Sequence, residues 1–506
     1  MRSVSTMIIG VAVSVGLLVP LAAQNYDHGR TRIYTDRIPD PGPTSAEAPV
    51  GKQRVPDYDL VIANGRIVDP ESGLDGVRHV GVRAGKVVSI SETALAGQQQ
   101  IDAKGLVVAP GFIDLHSHGQ TDETYRCQAL DGVTTAFELE VGTADIDRWY
   151  AEREPGRLIN YGVSIGHIPV RIAVLHDPSP FLPSGDAAHK VASPGEIAEM
   201  AQRIDEGFRK GAVSMGLGPS YTAAATQWEV LEMFRVAGRH HASVHVHIRG
   251  GMPGLEEVIA GTALTGAPLH IVHINSSGLA QTREMLQVVS EAQSRGLDVT
   301  TEAYPYSAGM TEIQSANYDA WQQWPDERFG TLEWPKTGER LTRETFVKYR
   351  KIGGPVIGHS NSDEMVAVAI NSPLTAIASD AYMLNGIGHP RTSGTYSRVL
   401  GHYVREAHSL SLMDALRKMT LMPARRLEAR VPAMRNKGRI RVGGDADLTI
   451  FDPSRIIDRA TYREPSLPPE GIQYVIVNGT PIVRGGALVK DATPGRGVRA
   501  PMLAAR

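Results

Sequence analysis

Residues 107–118 constrain the fold more than any other stretch, because an unbroken apolar run ends there in two histidines. A run of this length that contains Pro110-Gly111 and is followed by polar residues is typical of a buried strand. Alternate side chains of a strand share one face, so we expect His116 and His118 to point the same way at its C-terminal end. Two neutral imidazoles so placed form half of a metal site, although an isolated pair is more often structural.

The middle of the chain alternates strand patterns with helix patterns, which indicates a (β/α)8 barrel. One predicted helix opens with Ser193-Pro194-Gly195-Glu196, which supplies an N-cap, a proline in the first turn and a capping carboxylate. With the opening run, seven further predicted strands make eight, at residues 134–141, 161–167, 212–217, 243–248, 269–274, 297–303 and 374–379. The active site of such a barrel lies at the C-terminal ends of its strands.

Both ends of the chain are rich in short strands. Asn64-Gly65 lies between two apolar segments and predicts a hairpin turn, and residues 80–90 repeat the pattern. Residues 446–451 and 474–483 have the same character near the C-terminus. Two strand-rich ends that flank a long middle predict one small β-sandwich built from both of them.

These patterns divide the 506 residues into an α/β chain with the barrel at its centre. We predict a signal peptide at 1–23, a proline-rich strap at 24–56, a β-sandwich from 57–108 and 432–490, the barrel at 109–431 and a tail at 491–506. Residues 307–350 interrupt the barrel pattern with several tryptophans, prolines and glycines. Such an insertion is typical of a lid or binding loop, and packing against neighbouring helices is a compatible alternative.

Other predicted strand ends repeat the histidine theme. His247 and His273 close the fifth and sixth strands, and Asp380 follows the eighth. Together with the first pair they form a set of nitrogen and oxygen donors that suits zinc or a related divalent ion. Each residue alone is compatible with a buried structural role, but their shared placement at strand ends predicts a metal centre.

On these residues the chain resembles the amidohydrolase superfamily, and within it the D-aminoacylase (N-acyl-D-amino-acid deacylase) group. The similarity runs from Tyr58 to about Gly486. The matching blocks are Pro110-Gly111-Phe112-Ile113-Asp114-Leu115-His116-Ser117-His118, Gly132-Val133-Thr134-Thr135, Tyr304-Pro305-Tyr306-Ser307-Ala308-Gly309, Ser379-Asp380, His389-Pro390-Arg391, Gly401-His402-Tyr403, Lys418-Met419-Thr420 and Gly444-Asp445-Ala446-Asp447-Leu448. The resemblance implies a metal-dependent hydrolase with a TIM-type barrel, a β-sandwich from both termini and an insertion after strand seven.

The resemblance also implies how the metal ligands divide. His116, His118 and Asp380 would form one metal position, and His247 and His273 would form the second. The expected cofactor is Zn²⁺, as one or two ions per chain, with Mn²⁺ or Co²⁺ as substitutes.

One position departs from the family pattern. In this group a cysteine of the second strand joins the two metals, and Val141 occupies that column here. We predict that Glu140 replaces the cysteine, because a longer carboxylate reaches both ions from one residue earlier. Glu138 shares its face and is the alternative bridging ligand. Two glutamates on a barrel strand are costly to bury unless they are paired or bound to metal.

The substrate end departs further from the family. The family holds the substrate's α-carboxylate with a lysine two residues after the sixth-strand histidine, where this chain has Asn275, and with a serine where it has Met310. Tyr304 and Arg391 remain, and an arginine takes a carboxylate through two parallel hydrogen bonds. A structural salt bridge is the alternative role of Arg391. Tyr221, after strand four, is predicted to donate to an oxyanion, with a packed tyrosine as the alternative.

These residues predict hydrolysis of a C–N amide bond, with deacylation of an N-acyl (D-)amino acid as the first interpretation. The attacking group is expected to be metal-bound hydroxide, with Asp380 taking the proton and returning it to the leaving nitrogen. The rival is a cyclic amide hydrolase of the dihydropyrimidinase or dihydroorotase kind, which usually bridges its metals with a carboxylated lysine on strand four. Ser214-Met215-Gly216-Leu217 offers no lysine there. A secreted binding protein without catalysis is the third alternative, and the intact ligand set argues against it.

Composition limits the partners. The formal net charge of −3 shows no basic excess for nucleic acid or an anionic membrane. Cys127 is the single cysteine of the sequence, so the chain can form neither a disulfide framework nor a thiolate metal cluster. We expect a small-molecule N-acyl substrate as the partner, and the oligomeric state stays open, with a homo-oligomer included.

The first residues predict export. Arg2 precedes the apolar segment 7–19, and Leu21-Ala22-Ala23 supplies small residues near a cleavage point. The segment is short for a membrane span, so we expect cleavage near Ala23, a secreted or periplasmic protein and no stable membrane insertion afterwards. A retained anchor is the alternative.

Expression of the full chain in a Gram-negative host tests this expectation. We expect the protein in the periplasmic fraction with its N-terminus near Gln24, as measured by intact mass. A cytosolic product that still carries residue 1 would contradict export.

Overall fold

The structure, a computed structural model, describes residues 57–503. The predicted signal peptide at 1–23 and the proline-rich strap at 24–56 lie outside the described residues. Between 57 and 503, no helix is both long enough and apolar enough to cross a membrane.

Eight parallel strands form the central barrel, and they follow one another around it in chain order. In that order they are Phe112–Asp114, Val133–Thr143, Asn160–Gly166, Met215–Leu217, Val244–Val246, Leu269–Ile271, Val299–Ala303 and Thr375–Ile377, referred to below as strands one to eight. The predicted (β/α)8 barrel is therefore confirmed. Most predicted strands run longer than the observed ones, because the chain turns into loops and helices as soon as it leaves the barrel wall.

Helices alternate with these strands and continue beyond them. The α-helices are Asp122–Leu130, Ile146–Ala151, His167–Val174, Asp186–His189, Pro194–Arg209, Gln227–Arg239, Met252–Thr265, Ile274–Gly278, Thr282–Ser294, Asp326–Phe329, Arg343–Ile352, Asp363–Asn371, Arg391–Arg398, Leu412–Leu416 and Met422–Glu428. Shorter 3₁₀ segments are Leu279–Gln281, Ala316–Gln323 and Pro432–Asn436, and π-helical turns are Val399–Glu406 and Arg417–Leu421. The helix that begins at Pro194 has the predicted capping box between Ser193 and Glu196.

The apolar run that ends in two histidines is not one strand. Val107–Pro110 pairs with Leu448–Phe451 in the terminal sheet, and only after Gly111 does the chain enter the barrel. A Cβ atom at Gly111 would lie 2.2 Å from the side chain of Thr134, so glycine permits this close crossing. The prediction of a single strand was wrong, and the boundary between sheet and barrel falls inside the run.

Strands one and eight close the barrel through side chains and loop backbone. Oδ1 of the buried Asp114 accepts the backbone N–H groups of Ser379 and His116, at 3.0 and 3.1 Å. Its Oδ2 atom accepts from Gln128 at 2.8 Å. One step further, the His118 N–H donates to the carbonyl of Ala381 at 2.7 Å. The two histidines therefore lie just beyond strand one, on a segment that is joined to the end of strand eight.

Strands from both ends of the chain share one sheet of nine, as the sequence predicts. They are Tyr58–Asp69, Leu74–Arg83, Lys86–Ser91, Gly97–Asp102, Val107–Pro110, Leu448–Phe451, Ile472–Val477, Thr480–Arg484 and Ala487–Leu488. Buried side chains from both ends, among them Ile62, Val80, Leu448 and Ile476, pack in one cluster. The small domain built from both termini is therefore confirmed.

Asn64-Gly65 does not form the predicted hairpin. Tyr58–Asp69 is one strand of 12 residues with a register shift between Ile62 and Gly65, and Asn64 has a φ of 61°. The bulge lets Arg66 continue as the parallel partner of Val107. Asn478-Gly479, by contrast, does turn between the paired strands Ile472–Val477 and Thr480–Arg484.

The insertion after strand seven is a folded unit. Its strands Ala308–Glu312, Leu332–Trp334, Glu339–Arg340 and Pro355–His359 form an antiparallel sheet of four. Trp324, Phe329 and Phe346 pack in a core of its own, and the unit extends past the predicted limit of 350. A short hairpin of Met383–Leu384 and Ile387–Gly388 follows strand eight.

The predicted tail at 491–506 packs against the barrel in its described part. The N–H of Val498 donates to the carbonyl of Tyr161 at 2.7 Å, and that of Ala500 donates to Gly211 at 3.0 Å. Val498 and Ala500 are buried with Phe137. Because Tyr161 lies at the start of strand three, the tail covers the end of the barrel at which the strands begin.

Candidate metal centre

Six side chains that the sequence analysis proposed as metal ligands converge at the C-terminal ends of the barrel strands. They are His116, His118, Glu140, His247, His273 and Asp380. The ligand atoms of His116, His118 and Asp380 lie within 4.8 Å of one another, as do those of His116, Glu140 and His273. Nδ1 of His247 lies 3.1 Å from Nε2 of His273. Strands one, two, five, six and eight therefore deliver one cluster.

Glu140 lies at the centre of this cluster. Its Oε2 atom is 2.6 Å from Nε2 of His116 and 3.8 Å from Nε2 of His273. Its Oε1 atom is 3.0 Å from Nδ1 of His247. The carboxylate thus faces histidines of both predicted metal positions, as a bridging ligand must.

Glu138, the alternative bridging ligand, makes a different contact. Its Oε2 atom lies 2.8 Å from Nδ1 of His118, and its Oε1 atom accepts the N–H of Val141 at 3.1 Å. Nδ1 is the ring nitrogen that points away from the cluster. Glu138 is therefore placed to orient His118, and the geometry favours Glu140 as the shared ligand.

Strand four, Met215–Leu217, does not supply a bridging lysine. A Cβ atom at Gly216 on strand four would lie 2.1 Å from the carbonyl oxygen of Glu140, so a lysine has no room there. Val141, which occupies the column of the family's cysteine, packs instead with Ile168 and Leu182.

Glu302 on strand seven is a site residue that the sequence analysis missed. Its Oε1 atom lies 2.7 Å from Nδ1 of His116, and its Oε2 atom lies 2.9 Å from Nε2 of His270. Burial raises the pKa of Glu302, but the two imidazoles outweigh burial and lower it to about 2. The available sequence signal was a glutamate in the otherwise uncharged strand Val299–Ala303.

The nitrogen geometry fits a bound cation. Nδ1 of His116 and Nδ1 of His118 each face a carboxylate, so the lone pairs belong to the Nε2 atoms. These two Nε2 atoms lie 3.0 Å apart. Two ring nitrogens at this distance need a proton or a metal cation near them, and both could coordinate one divalent ion. Four imidazoles and two carboxylates are the donor types that zinc takes in catalytic sites.

The electrostatics of the cluster agree with this fit. Burial lowers the pKa of His116, but Asp380, Glu140 and Glu302 outweigh burial and raise it to about 10. Burial and the neighbouring His247 lower the pKa of His273 to about 3. The carboxylates thus create a negative electrostatic potential beside His116, which stabilises positive charge there.

Asp380 is held tightly by an arginine. Its Oδ1 atom lies 3.2 Å from Nε2 of His118, and its Oδ2 atom accepts from Nη2 of Arg391 at 2.9 Å. Nε of Arg391 also donates to the Asp380 carbonyl at 2.7 Å. Asp380 and His273 have φ values of 53° and 31°, which residues other than glycine rarely adopt. Such strain is commonly retained at functional sites.

A cavity of about 370 Å³ opens above the cluster. Its floor includes His118, Glu140, His247, His273 and Asp380. The insertion after strand seven supplies much of its wall, through Met310, Thr311, Glu312, Asn317, Tyr318, Trp324, Arg328 and Leu332. Residues from other loops complete the wall, notably Phe181, Leu182, Leu279 and Tyr382. The sequence placed the insertion correctly but did not identify which of its side chains face the site.

The three proposed substrate residues all line this cavity. Tyr221 packs against His247 with ring centroids 4.6 Å apart, and its hydroxyl accepts from Thr311 at 3.2 Å. Arg391 lies over the ring of Tyr304 at 4.7 Å, and its buried Nη1 atom has no hydrogen-bond partner among the described residues. The salt bridge between Arg391 and Asp380 is therefore present, and the role of Arg391 in substrate binding stays a prediction.

Met310 and Asn275, the two positions at which the substrate end departs from the family pattern, lie in different surroundings. Met310 lines the cavity and its carbonyl accepts from Nη2 of Arg391 at 3.5 Å. Asn275 is buried outside the cavity lining, and its side-chain amide donates to the carbonyl of Tyr304 at 3.2 Å. Asn275 therefore supports the end of strand seven in place of a substrate contact.

Comparison with known proteins gives one family. The model described as "Amidohydrolase family" matches residues 99–164 and 166–483. A D-aminoacylase from Alcaligenes xylosoxydans xylosoxydans is 28% identical over 476 residues, which cover 84% of this chain and 94% of that protein. A dihydroorotase from Streptococcus pneumoniae serotype 4 is 27% identical over 422 residues, which cover 78% of this chain and 90% of that protein.

A solved structure is similar over most of the chain. It is N-acyl-D-glutamate deacylase from Bordetella bronchiseptica, complexed with zinc and a phosphonate inhibitor that mimics the tetrahedral intermediate. The TM-score is 0.76 at 25% identity, and the match covers 88% of this chain and 100% of that one.

The Glu302 contact gives a testable expectation. Glu302→Gln keeps the size of the side chain but removes the charge that fixes the ring of His116, so zinc affinity should fall about ten- to a hundredfold. Competition with a chelating dye measures this affinity without any turnover. The matched control is Glu333→Gln in the insertion, where Oε2 lies 3.0 Å from Nε2 of His359 outside the cavity lining. Equal zinc affinity in wild type and Glu302→Gln would show that Glu302 only fills the barrel.

Proposed function

This chain belongs to the amidohydrolase family, and from that membership we propose that it is a zinc-dependent deacylase of N-acylated amino acids. The observation that carries the proposal is the cluster at the cavity floor, where Glu140 faces histidines of two metal positions. Tyr304 and Arg391 line the same cavity and suit an amino-acid carboxylate.

The metal would be held by six side chains in two groups. One group is His116, His118 and Asp380, the other is His247 and His273, and Glu140 joins them. A zinc ion bound here supplies a Lewis acid that lowers the pKa of a water towards 7 and polarises the scissile carbonyl. Manganese and cobalt accept the same nitrogen and oxygen donors.

Asp380 is placed to move the proton. Burial raises its pKa, but Arg391, His116 and His118 outweigh burial and hold the pKa well below its ordinary value. The group is therefore a carboxylate at neutral pH. Its Oδ1 atom accepts the proton of the attacking water and returns it to the leaving nitrogen, while Arg391 keeps Oδ2 in place.

Two side chains of the cavity orient the substrate. The guanidinium of Arg391 and the hydroxyl of Tyr304 bind the α-carboxylate, and these contacts replace those that Asn275 and Met310 do not make. Tyr221 donates its hydroxyl proton to the oxygen of the scissile carbonyl as negative charge develops there. Burial raises the pKa of Tyr221 well above its ordinary value, so this hydroxyl keeps its proton.

A cyclic amide hydrolase is the second candidate, and the similarity to a dihydroorotase supports it. The absence of a lysine from strand four, Met215–Leu217, favours the deacylase, and a Cβ atom at Gly216 would lie only 2.1 Å from the carbonyl oxygen of Glu140. The D-aminoacylase and the N-acyl-D-glutamate deacylase, which are similar to most of this chain, also act on open-chain amides by their names.

A stereochemically paired substrate panel tests the proposed function. We expect the zinc-loaded protein to hydrolyse N-acetyl amino acids with a preference for D-enantiomers, and to leave dihydroorotate and hydantoin unchanged. Asp380→Asn removes the proton acceptor and should lower kcat by about a hundredfold or more. Turnover is measured as free amine released. Hydrolysis of the cyclic compounds alone would establish the second candidate instead.

The bridging role has its own test. Glu140→Gln keeps the size but removes the charge shared by two ions, so metal content and turnover should fall together. Glu138→Gln is the matched control two residues away, and it should weaken metal binding less because it touches only the far nitrogen of His118. Metal content is measured by elemental analysis after chelator-free purification. The reverse order of effects would make Glu138 the bridge, and no effect of either change would exclude a carboxylate bridge.

We also propose that the enzyme acts in the periplasm. The support is the basic start at Arg2, the apolar segment 7–19 and the small residues before Gln24. An amidohydrolase in that compartment would meet N-acylated compounds from outside the cell.

A further inference from the structure

Glu312 is a carboxylate of the cavity wall without a counter-ion. Among the described residues that line the cavity, Glu140, Glu312 and Asp380 carry carboxylates. Glu140 faces histidines and Asp380 faces Arg391. The Glu312 side chain is only partly buried and lines the cavity, while its Oε2 atom is enclosed by protein and has no hydrogen-bond partner among the described residues. An uncompensated carboxylate is costly in a protein, and such groups concentrate at functional sites.

The cations that line the cavity do not neutralise Glu312. Arg391 is engaged by Asp380. Arg328 stacks on the ring of Trp324 at 3.9 Å and is otherwise exposed. Burial raises the pKa of Glu312, and the backbone N–H of Leu182 offsets only part of this effect.

The position of Glu312 relates it to the substrate. Glu312 and Met310 belong to the strand Ala308–Glu312, so their side chains share a face and lie about 7 Å apart along it. Arg391, which we assign to the substrate's α-carboxylate, touches this strand at the carbonyl of Met310. A side chain with the four-carbon stem of lysine spans a comparable distance from its α-carbon to its charge.

The cavity that Arg391 and Glu312 line also has wall residues suited to a long side chain with a cationic end. Leu182 and Phe181 offer apolar surface to a methylene stem. Tyr382 lines the same cavity as Glu312; burial raises the pKa of Tyr382, and the Glu312 carboxylate raises it further. An aromatic ring and a carboxylate in one cavity wall are a good environment for an ammonium or guanidinium group.

We propose that Glu312 binds the cationic end of the substrate's side chain, so that the enzyme prefers N-acyl derivatives of basic amino acids such as lysine. This inference rests on the proposed deacylase function and narrows its substrate class. Glu312 lines the cavity without a cationic partner among the described residues, so the substrate supplies one, which an acidic or purely apolar side chain does not.

Matched substrates test the inference on the zinc-loaded full chain. N-acetyl-D-lysine and N-acetyl-D-norleucine have the same four-carbon stem, and only the first has an amine. We expect kcat/KM to favour the lysine derivative by about tenfold or more, the range of a hydrogen bond between charged groups. Glu312→Gln should remove this preference and leave the norleucine derivative within about threefold of wild type. Glu344→Gln makes the same charge change at an exposed position of the insertion and should alter neither rate.

Several outcomes would overturn the inference while the deacylase function stands. One is equal kcat/KM for the two substrates in wild type, and another is an equal loss for both in Glu312→Gln. A third is a Glu312-dependent gain for N-(6-aminohexanoyl)-D-norleucine alone, which would place the cation on the acyl group. If none of the compounds is hydrolysed, the proposed function fails. Calorimetric binding of the same unhydrolysed compounds to wild type and Glu312→Gln then decides the role of Glu312.

Discussion

The buried carboxylate of Asp114 is the contact on which the geometry of the site depends. It accepts backbone N–H groups from the segments that carry His116 and Asp380, and so it joins the two ends of the barrel wall. A carboxylate that accepts several hydrogen bonds offsets much of the cost of its burial. The metal ligands of strands one and eight thus share one rigid support, and their distances from each other follow from that closure.

Most charged side chains around the cluster are likewise compensated by hydrogen bonds or ion pairs. Glu138 and Glu302 each face the outer nitrogen of a histidine, and Asp380 faces Arg391. Each pairing fixes a ring or a carboxylate in one orientation while it compensates the loss of water. Glu312, in the cavity wall, has no such ionic partner among the described residues. A carboxylate without an ionic partner is a suitable place for a cationic ligand group to bind.

The proposed chemistry and the proposed selectivity belong to different parts of the chain. Strand two and the segments that directly follow strands one, five, six and eight carry the proposed metal ligands and the proposed proton acceptor. The insertion folds on its own core of Trp324, Phe329 and Phe346 and lends one face to the cavity. A unit with an independent core can change the side chains of that face without disturbing the metal centre.

The sequence by itself determined the barrel, the small domain from both termini and the six side chains at the strand ends, because residue periodicity and strand-end polarity are local signals. Only the tertiary structure decided the rest. The apolar run before His116 divides between two sheets, since Gly111 lets the chain cross Thr134 closely. Asn64-Gly65 lies in a bulge within one strand, after which Arg66 pairs with Val107. The contacts of Glu302 with His116, and the lack of a partner for Glu312, depend on residues that are distant in the chain. No local sequence pattern encodes such contacts, because tertiary packing determines which residues surround a buried charge.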